Sequence, residues 1–305
     1  MTRILLTGTQ GALGGYIKQY LMQGNVAGEH EIACVSRQDA SEAGIHNFRA
    51  DLLDENAVNK IIKDFRPDKV FLIAWETTHG SYWQDTDNIK WADASIRFAE
   101  QAAKKADVFL TFAGTCAEYS WSGEKIVEAV TPEEPHTLYG QQKLRVTRHL
   151  LAMRNQGKLD ANCCRLFFPY SEFENRNRVT SLVIQAMLEN RSIHLRTGDI
   201  YRDICHTRHI AAAMCEMNFA YAGGLYNMSM SKPAHLGRFL KRIGKVMGKD
   251  HLITWDEWHD DDNDSAEPRY LYGSNEKVVK YLDVADDPTE DIRSFVDASV
   301  QRFAG

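Results

Sequence analysis

The chain has no pair of cysteines at CxxC spacing, no apolar run near the roughly 20 residues that span a bilayer, and no excess of basic charge. Each absence excludes something. The six cysteines, Cys34, Cys116, Cys163, Cys164, Cys205 and Cys215, keep no regular spacing, which argues against a zinc site. Reduced, buried thiols are expected instead, as in a cytoplasmic protein. Cys163 and Cys164 are adjacent within an apolar run, so a strand there would send their side chains to opposite faces. A formal net charge of -6 gives neither nucleic acid nor an anionic membrane any reason to bind. Residues 1–6 run directly into a glycine motif and leave no room for a secretory leader, so a cytoplasmic location is expected. Internal repeats and low-complexity segments are missing too.

What is present is ordinary for a globular chain: 305 residues, 44% hydrophobic and 26% charged. That length suits one large domain or two modest ones sharing an interface. Apolar runs at residues 3–7, 31–36, 46–49, 69–74, 108–112 and 161–168 read as strands. Between them, helices are expected over about 14–22, 55–65, 88–105 and onward from Tyr139. Strand–helix alternation of this kind predicts a parallel sheet with helices on both faces. After residue 168 the pattern loosens, with helices expected at 180–188, 235–247 and 291–303. The acidic run Asp260-Asp261-Asp262 reads as a solvated loop.

The first strand ends in Thr7-Gly8-Thr9-Gln10-Gly11-Ala12-Leu13-Gly14. A strand that turns sharply into a helix needs glycine where the backbone approaches a pyrophosphate or takes unusual dihedrals. The helix then offers free N–H groups and a positive dipole end to the phosphates. Gly8, Gln10, Gly11, Ala12, Leu13 and Gly14 are therefore candidate dinucleotide contacts. The second strand ends in Ser36-Arg37 with no carboxylate at its tip. A carboxylate there would accept hydrogen bonds from the 2′-hydroxyl of NAD, whereas serine and arginine can bind a 2′-phosphate. NADP(H) is favoured on this ground; NAD(H) stays open, because Arg37 could equally be a plain loop charge.

Tyr139-Gly140-Gln141-Gln142-Lys143 is a YxxxK, the only one among the chain's tyrosines. Chance alone would produce such a pair in roughly every second chain of this length. Its placement is the informative part, opening a helix between the fifth and sixth strands. The spacing sets phenol and ammonium one turn apart on one helical face. An ammonium nearby stabilises phenolate and so equips tyrosine for acid–base work near neutrality.

The TGxxGxxG spacing, followed by this YxxxK, resembles the extended short-chain dehydrogenase/reductases, a family centred on nucleotide-sugar epimerases, dehydratases and ketoreductases. The resemblance spans essentially the whole chain. It implies an α/β fold: a doubly wound parallel Rossmann sheet over residues 1–168 and a smaller helix-rich lobe over residues 169–305 that binds substrate, with parts of 200–230 returning to the sheet. It assigns Thr115 to orienting the substrate oxygen, Tyr139 to proton transfer and Lys143 to the nicotinamide ribose. Asp51 and Leu52 match the positions that hold adenine, and Ala74 and Trp75 those that line the cofactor. Trp75 and Trp91 stand where many members carry a small residue and an asparagine.

The resemblance also narrows the chemistry. The 4,6-dehydratases follow the hydroxyl with Asp-Glu, and this chain has Cys116-Ala117, which removes the acid–base pair for water elimination. Cys116 is also one position short of the 3,5-epimerase cysteine, so it is expected as a pocket wall, along with Phe168. Arg202 in Tyr201-Arg202-Asp203-Ile204-Cys205-His206, and Arg269 beside Pro268, match diphosphate-binding arginines. The expected activity is NADPH-dependent reduction of a nucleotide-linked 4-keto-6-deoxy sugar. A 4-epimerase with tightly bound NAD and a non-catalytic dinucleotide-binding redox sensor are the alternatives. A homodimer is expected by resemblance alone, and no metal.

Overall fold

The computed structural model describes residues 1–38, 42–77, 82–259, 267–282 and 288–304. The acidic run read as a loop lies outside the described residues. The first half runs β1 (Thr2–Thr7), α1 (Ala12–Met22), β2 (His30–Ser36), β3 (Ile45–Arg49), α2 (Glu55–Phe65), β4 (Lys69–Leu72), α3 (Asp87–Ala102), β5 (Phe109–Thr115), α4 (Leu138–Asn155) and β6 (Asp160–Leu166). Then follow β7 (Phe168–Tyr170), α5 (Val179–Leu188), β8 (Ile193–Leu195), β9 (Tyr201–Arg202), β10 (Ile204–His206), α6 (Thr207–Phe219) and β11 (Gly224–Met228). The last elements are β12 (Ala234–His235), α7 (Leu236–Val246), β13 (Ile253–Trp255), β14 (Tyr270–Leu271) and α8 (Thr289–Ala304).

Seven parallel strands form the main sheet in the order β11-β6-β5-β4-β1-β2-β3. The order reverses between β1 and β4, the switch point at which ligands bind in open α/β sheets. Both faces are covered, so β4 and β5 are buried along their whole length. One face packs Val58 and Ile62 of α2, Phe98 of α3 and Leu150 of α4 on strand residues such as Leu110 and Cys163. The other packs Ile17 of α1 and Met214 of α6 on Leu6, Phe71 and Cys164. Cys163 and Cys164 thus do face opposite sides, and all six cysteines are free and buried. A third apolar cluster joins α5, α7 and α8 through Ile184, Leu240 and Phe295.

Caps agree with the sequence at the helix starts. Asp54 opens α2 by accepting from the Ala57 N–H at 3.1 Å, and Thr137 opens α4 by accepting from Gly140 at 3.0 Å. Two boundaries differ in ways that touch the site. Strand β5 extends to Thr115, which therefore ends the strand and does not follow it, and β4 stops at Leu72. Helix α6 has no counterpart in the sequence reading because it is apolar on nearly every side, with Ile210, Ala211, Ala213, Met214 and Met217 all buried. A helix without a polar face shows no amphipathic period.

Candidate active site

The carboxyl ends of β1, β2, β3, β4 and β5 share one edge of the sheet, and the candidate residues gather along it. Gly8 has φ +73°, and a Cβ there would stand 2.8 Å from the Ala74 nitrogen. A Cβ on Gly14 would meet the Gly8 carbonyl oxygen at 2.3 Å. Both positions therefore require glycine. Gly11 is different: a Cβ would meet only the Gly8 oxygen, at 3.5 Å, so it borders open space. Gly11 caps α1 without a side-chain bond, and no acidic residue occupies the first turn. The first-turn N–H groups of α1 are therefore uncapped by any side chain, which suits an anion. Gln10 is exposed beside them. These residues fit the pyrophosphate of a dinucleotide. The Thr7 hydroxyl ties the cradle to β4, accepting from Ile73 and Ala74 N–H groups at 2.9 and 3.1 Å.

At the tip of β2, the Ser36 hydroxyl accepts from Gln38 N–H at 3.1 Å. Arg37 is exposed and reaches Glu76 at 3.8 Å, a loose surface pair. Arg49 lies opposite Ser36 in the β2–β3 register, which puts a second arginine at this corner that the sequence reading missed. Only strand pairing reveals it. Asp51, exposed, folds back to accept from Leu53 N–H at 2.9 Å, with Leu52 half-buried beside it.

Thr115, Tyr139 and Lys143 come together. The Thr115 side chain stands beside the Tyr139 phenol, near enough to act on its pKa, and its hydroxyl accepts from Ala117 N–H at 3.2 Å. Lys143 is one turn on, its ammonium 5.9 Å from the centre of the Tyr139 ring. It donates to the Ala113 carbonyl at 2.7 Å and lies 4.0 Å from the centre of a Trp75 ring. The Trp75 indole N–H is anchored on Asn88 at 2.8 Å. Gly140 permits this geometry, because a Cβ there would stand 2.2 Å from the Ala117 oxygen.

Burial raises the Tyr139 pKa well above its usual value, with neighbouring acidic groups adding and Thr115 opposing. Burial pushes Lys143 down to about 7, against the attraction of Glu118. The phenol is thus protonated at neutral pH, and the lysine titrates there. Burial outweighs the expected lowering of the phenol in this arrangement.

Behind Thr115 stands a buried ion cluster. Glu118 accepts from the Thr115 N–H at 2.9 Å and from Arg165 at 2.7 Å, and Arg165 also holds Glu133 at 2.6 Å. The Arg165 and Glu118 side chains are completely buried. In front, Tyr82 and Trp83 meet the Tyr139 ring edge-on at 5.0 and 5.7 Å, and the Trp83 carbonyl accepts from Tyr139 N–H at 3.0 Å.

Beside Trp83 opens a cavity of about 400 Å³, walled by Trp83, Trp121, Trp258 and Ile200. Thr137, Thr197 and the ion-paired Arg202 and Glu267 complete its lining. The tryptophans lie in loops, where only their number hints at a pocket. Arg202 is buried and engaged: it donates to the carbonyls of Tyr201, Pro268 and Arg269 at 2.9 to 3.2 Å and to Glu267 at 2.9 Å. Arg269 pairs with Asp199 at 2.9 Å. Neither arginine faces the cavity with an unshared charge. Cys116 and Phe168 lie close by in a separate apolar cluster with Tyr119 and Phe167. Cys116 shapes the cavity through its carbonyl, which holds the Trp121 indole at 3.0 Å.

A glycine-lined phosphate cradle at the switch point, with a Thr–Tyr–Lys triangle across from it, defines a dinucleotide-binding protein of the short-chain dehydrogenase/reductase type. The chain belongs to the NAD dependent epimerase/dehydratase family, whose model matches residues 4–228. It is similar to methionine adenosyltransferase 2 subunit beta of Pongo abelii, 27% identical over 197 residues. That match covers 63% of the chain and 55% of the relative, so the chain spans little more than half the relative's length. In fold it resembles a UDP-N-acetylglucosamine 4-epimerase from Methanobrevibacter ruminantium solved with UDP-N-acetylmuramic acid, at 18% identity, TM-score 0.82 and 99% coverage of both chains. It also resembles the UDP-glucose 4-epimerase of Thermotoga maritima solved with UDP-glucose, at 15% identity, TM-score 0.83 and 100% coverage of both. Among the described residues no cluster suited to a metal occurs, and no helix is long and apolar enough to cross a membrane.

Proposed function

We propose that the chain reduces the keto group of a nucleotide-linked sugar with NADPH, as a 4-keto-6-deoxyhexose 4-reductase would. The observation that carries this reading is the gathering of Thr115, the buried Tyr139 phenol and the Lys143 ammonium, 5.9 Å from the Tyr139 ring centre, at one end of β5. A bound nicotinamide supplies the hydride. Thr115 orients the ketone oxygen and Tyr139 gives it a proton, for which a phenol held protonated by burial is suited. Lys143, one turn on, would restore that proton. Gly8 to Gly14 would hold the pyrophosphate, Asp51 and Leu52 the adenine, and Ala74 the nicotinamide side. Arg37 and Arg49 support a 2′-phosphate, hence NADP(H). Residues 1–168 form the cofactor part and 169–305 mainly the substrate part in this reading. The helices α3 and α4 are its dimer surface.

NADPH oxidation with a panel of nucleotide-linked 4-keto sugars is the test. Tyr139→Phe should lower turnover roughly 100- to 10,000-fold while leaving dinucleotide affinity within a few-fold. An epimerase uses the same triangle and would purify with NAD still bound. A second reading rests on the Trp75 indole packed against Lys143, where the ribose contact is expected. In that reading the chain binds a dinucleotide without turnover, as a subunit of a larger assembly; the similar protein from Pongo abelii is named as a subunit. Binding without oxidation of any substrate, unchanged in Tyr139→Phe, is its signature.

A further inference from the structure

Strand β4 pairs with β5 as far as Leu72 opposite Phe112, and β5 runs on to Thr115 beside β6. On that last stretch the Lys143 ammonium donates to the Ala113 carbonyl at 2.7 Å, and the Glu118 carboxylate accepts from the Thr115 N–H at 2.9 Å. Two opposite charges thus hold the two peptide groups that flank Gly114. Gly114 makes the room: a Cβ there would stand 2.6 Å from Glu118 Oε1 and 3.3 Å from Arg165 Cγ. Beyond Glu118 the charges go on alternating, through Arg165 at 2.7 Å and Glu133 at 2.6 Å to Arg148 at 3.1 Å, which is exposed on α4. The series starts beside a buried lysine and ends in solvent. A buried ammonium far from any anion gives up its proton sooner than bear the loss of hydration.

We infer that Glu118 is a positioning residue of the triangle that acts through Lys143: its carboxylate is the counter-charge that keeps the lysine an ammonium, able to give a proton. The inference rests on the carbonyl-reduction reading and adds to it the group that keeps the proton source charged. Burial pushes Lys143 down to about 7, and Glu118 is the charged neighbour that opposes the fall. Cys116, Cys163, Tyr119 and Tyr139 also lie within reach of the Glu118 charge, and burial keeps all four protonated and uncharged at neutral pH. Turnover that needs the ammonium falls as pH rises through the Lys143 pKa. Removing the carboxylate charge moves that fall to lower pH.

The test uses Glu118→Gln, which keeps an acceptor for the Thr115 N–H and removes the charge alone. Lys143 is followed by NMR in protein labelled at the lysine ε-carbons, its signal identified by its loss in Lys143→Met. The wild type should titrate near pH 7, and Glu118→Gln lower by about one pH unit or more. The alkaline fall of kcat for keto-sugar reduction should move down with it, while KM for NADPH stays within a few-fold. Where Glu118→Gln does not fold, with Arg165 left unpaired, Glu118→Gln combined with Arg165→Met removes both charges and is read in the same way. An unmoved Lys143 midpoint overturns the inference, because a merely structural Glu118 leaves that titration alone. A midpoint that moves while the fall of kcat stays put overturns it as well. If no keto sugar is reduced by the wild type, the NMR midpoint decides by itself: a downward shift upholds the counter-charge and sinks only the reductase reading, and no shift sinks both.

Discussion

Lys143 is a single ammonium enclosed by Trp75, Phe112 and Tyr139, with one carbonyl as partner. Its folded pKa of about 7 lies below the ordinary lysine value, so the native state binds fewer protons than the unfolded chain between about pH 7 and 10. The burial penalty is therefore full below pH 7 and fades as pH rises through that window. Lys143→Met keeps the packing and removes the charge. It should raise the thermal midpoint at pH 6, gain progressively less toward pH 10, and lose turnover at every pH. Calorimetric melts across that range check it. A second residue-scale expectation concerns Arg37. Arg37→Asp should reverse cofactor preference by ten-fold or more toward NADH, read as the ratio of kcat/KM for NADPH and NADH, by repelling a 2′-phosphate and accepting from a 2′-hydroxyl. Tyr139 and Lys143 were legible in the sequence because a motif at helical spacing names its own geometry. Trp83, Trp258 and Arg49 were not, since loop positions and strand register bring them in.

In the proposed reading, the β1–α1 turn is the element on which cofactor binding depends. Gly14→Ala drives a methyl into the Gly8 carbonyl, backbone against backbone, with no flexible atom to yield. An overpacking cost of about 1–3 kcal/mol is expected, with dinucleotide affinity lost more than stability. Denaturant melts and a fluorescence titration with NADPH read the two separately. Gly11→Ala, bordering open space, should spare stability and impair only binding. The strands announced themselves as apolar runs bounded by turns, and α2 by its apolar stripe at Val58, Ile62 and Phe65. Helix α6 and strand β11 were not legible from periodicity, and only the resemblance returned parts of 200–230 to the sheet: the first has no polar face to set a period, and the second is five residues whose role is fixed by pairing with β6.

At the scale of the molecule, the turn after β5 and strand β6 carry the two ends of the buried Arg165–Glu118 pair. Removing one partner strands a charge in the core. Arg165→Met should cost about 3–5 kcal/mol and loosen the Thr115 loop, lowering turnover as well. Arg165→Met combined with Glu118→Leu should recover much of the stability, though not the bond to the Thr115 N–H. A double-mutant cycle by chemical denaturation measures the coupling. The parallel sheet itself was expected from strand–helix alternation, and the switch point between β1 and β4 sets the glycine cradle at the mouth.

The same pair has a historical consequence. Neither Arg165 nor Glu118 can be exchanged first without passing through a crippled intermediate, and Glu133 leans on the same guanidinium. A change at this cluster therefore has to come as a pair of exchanges, a rarer event than any single substitution on the exposed surface.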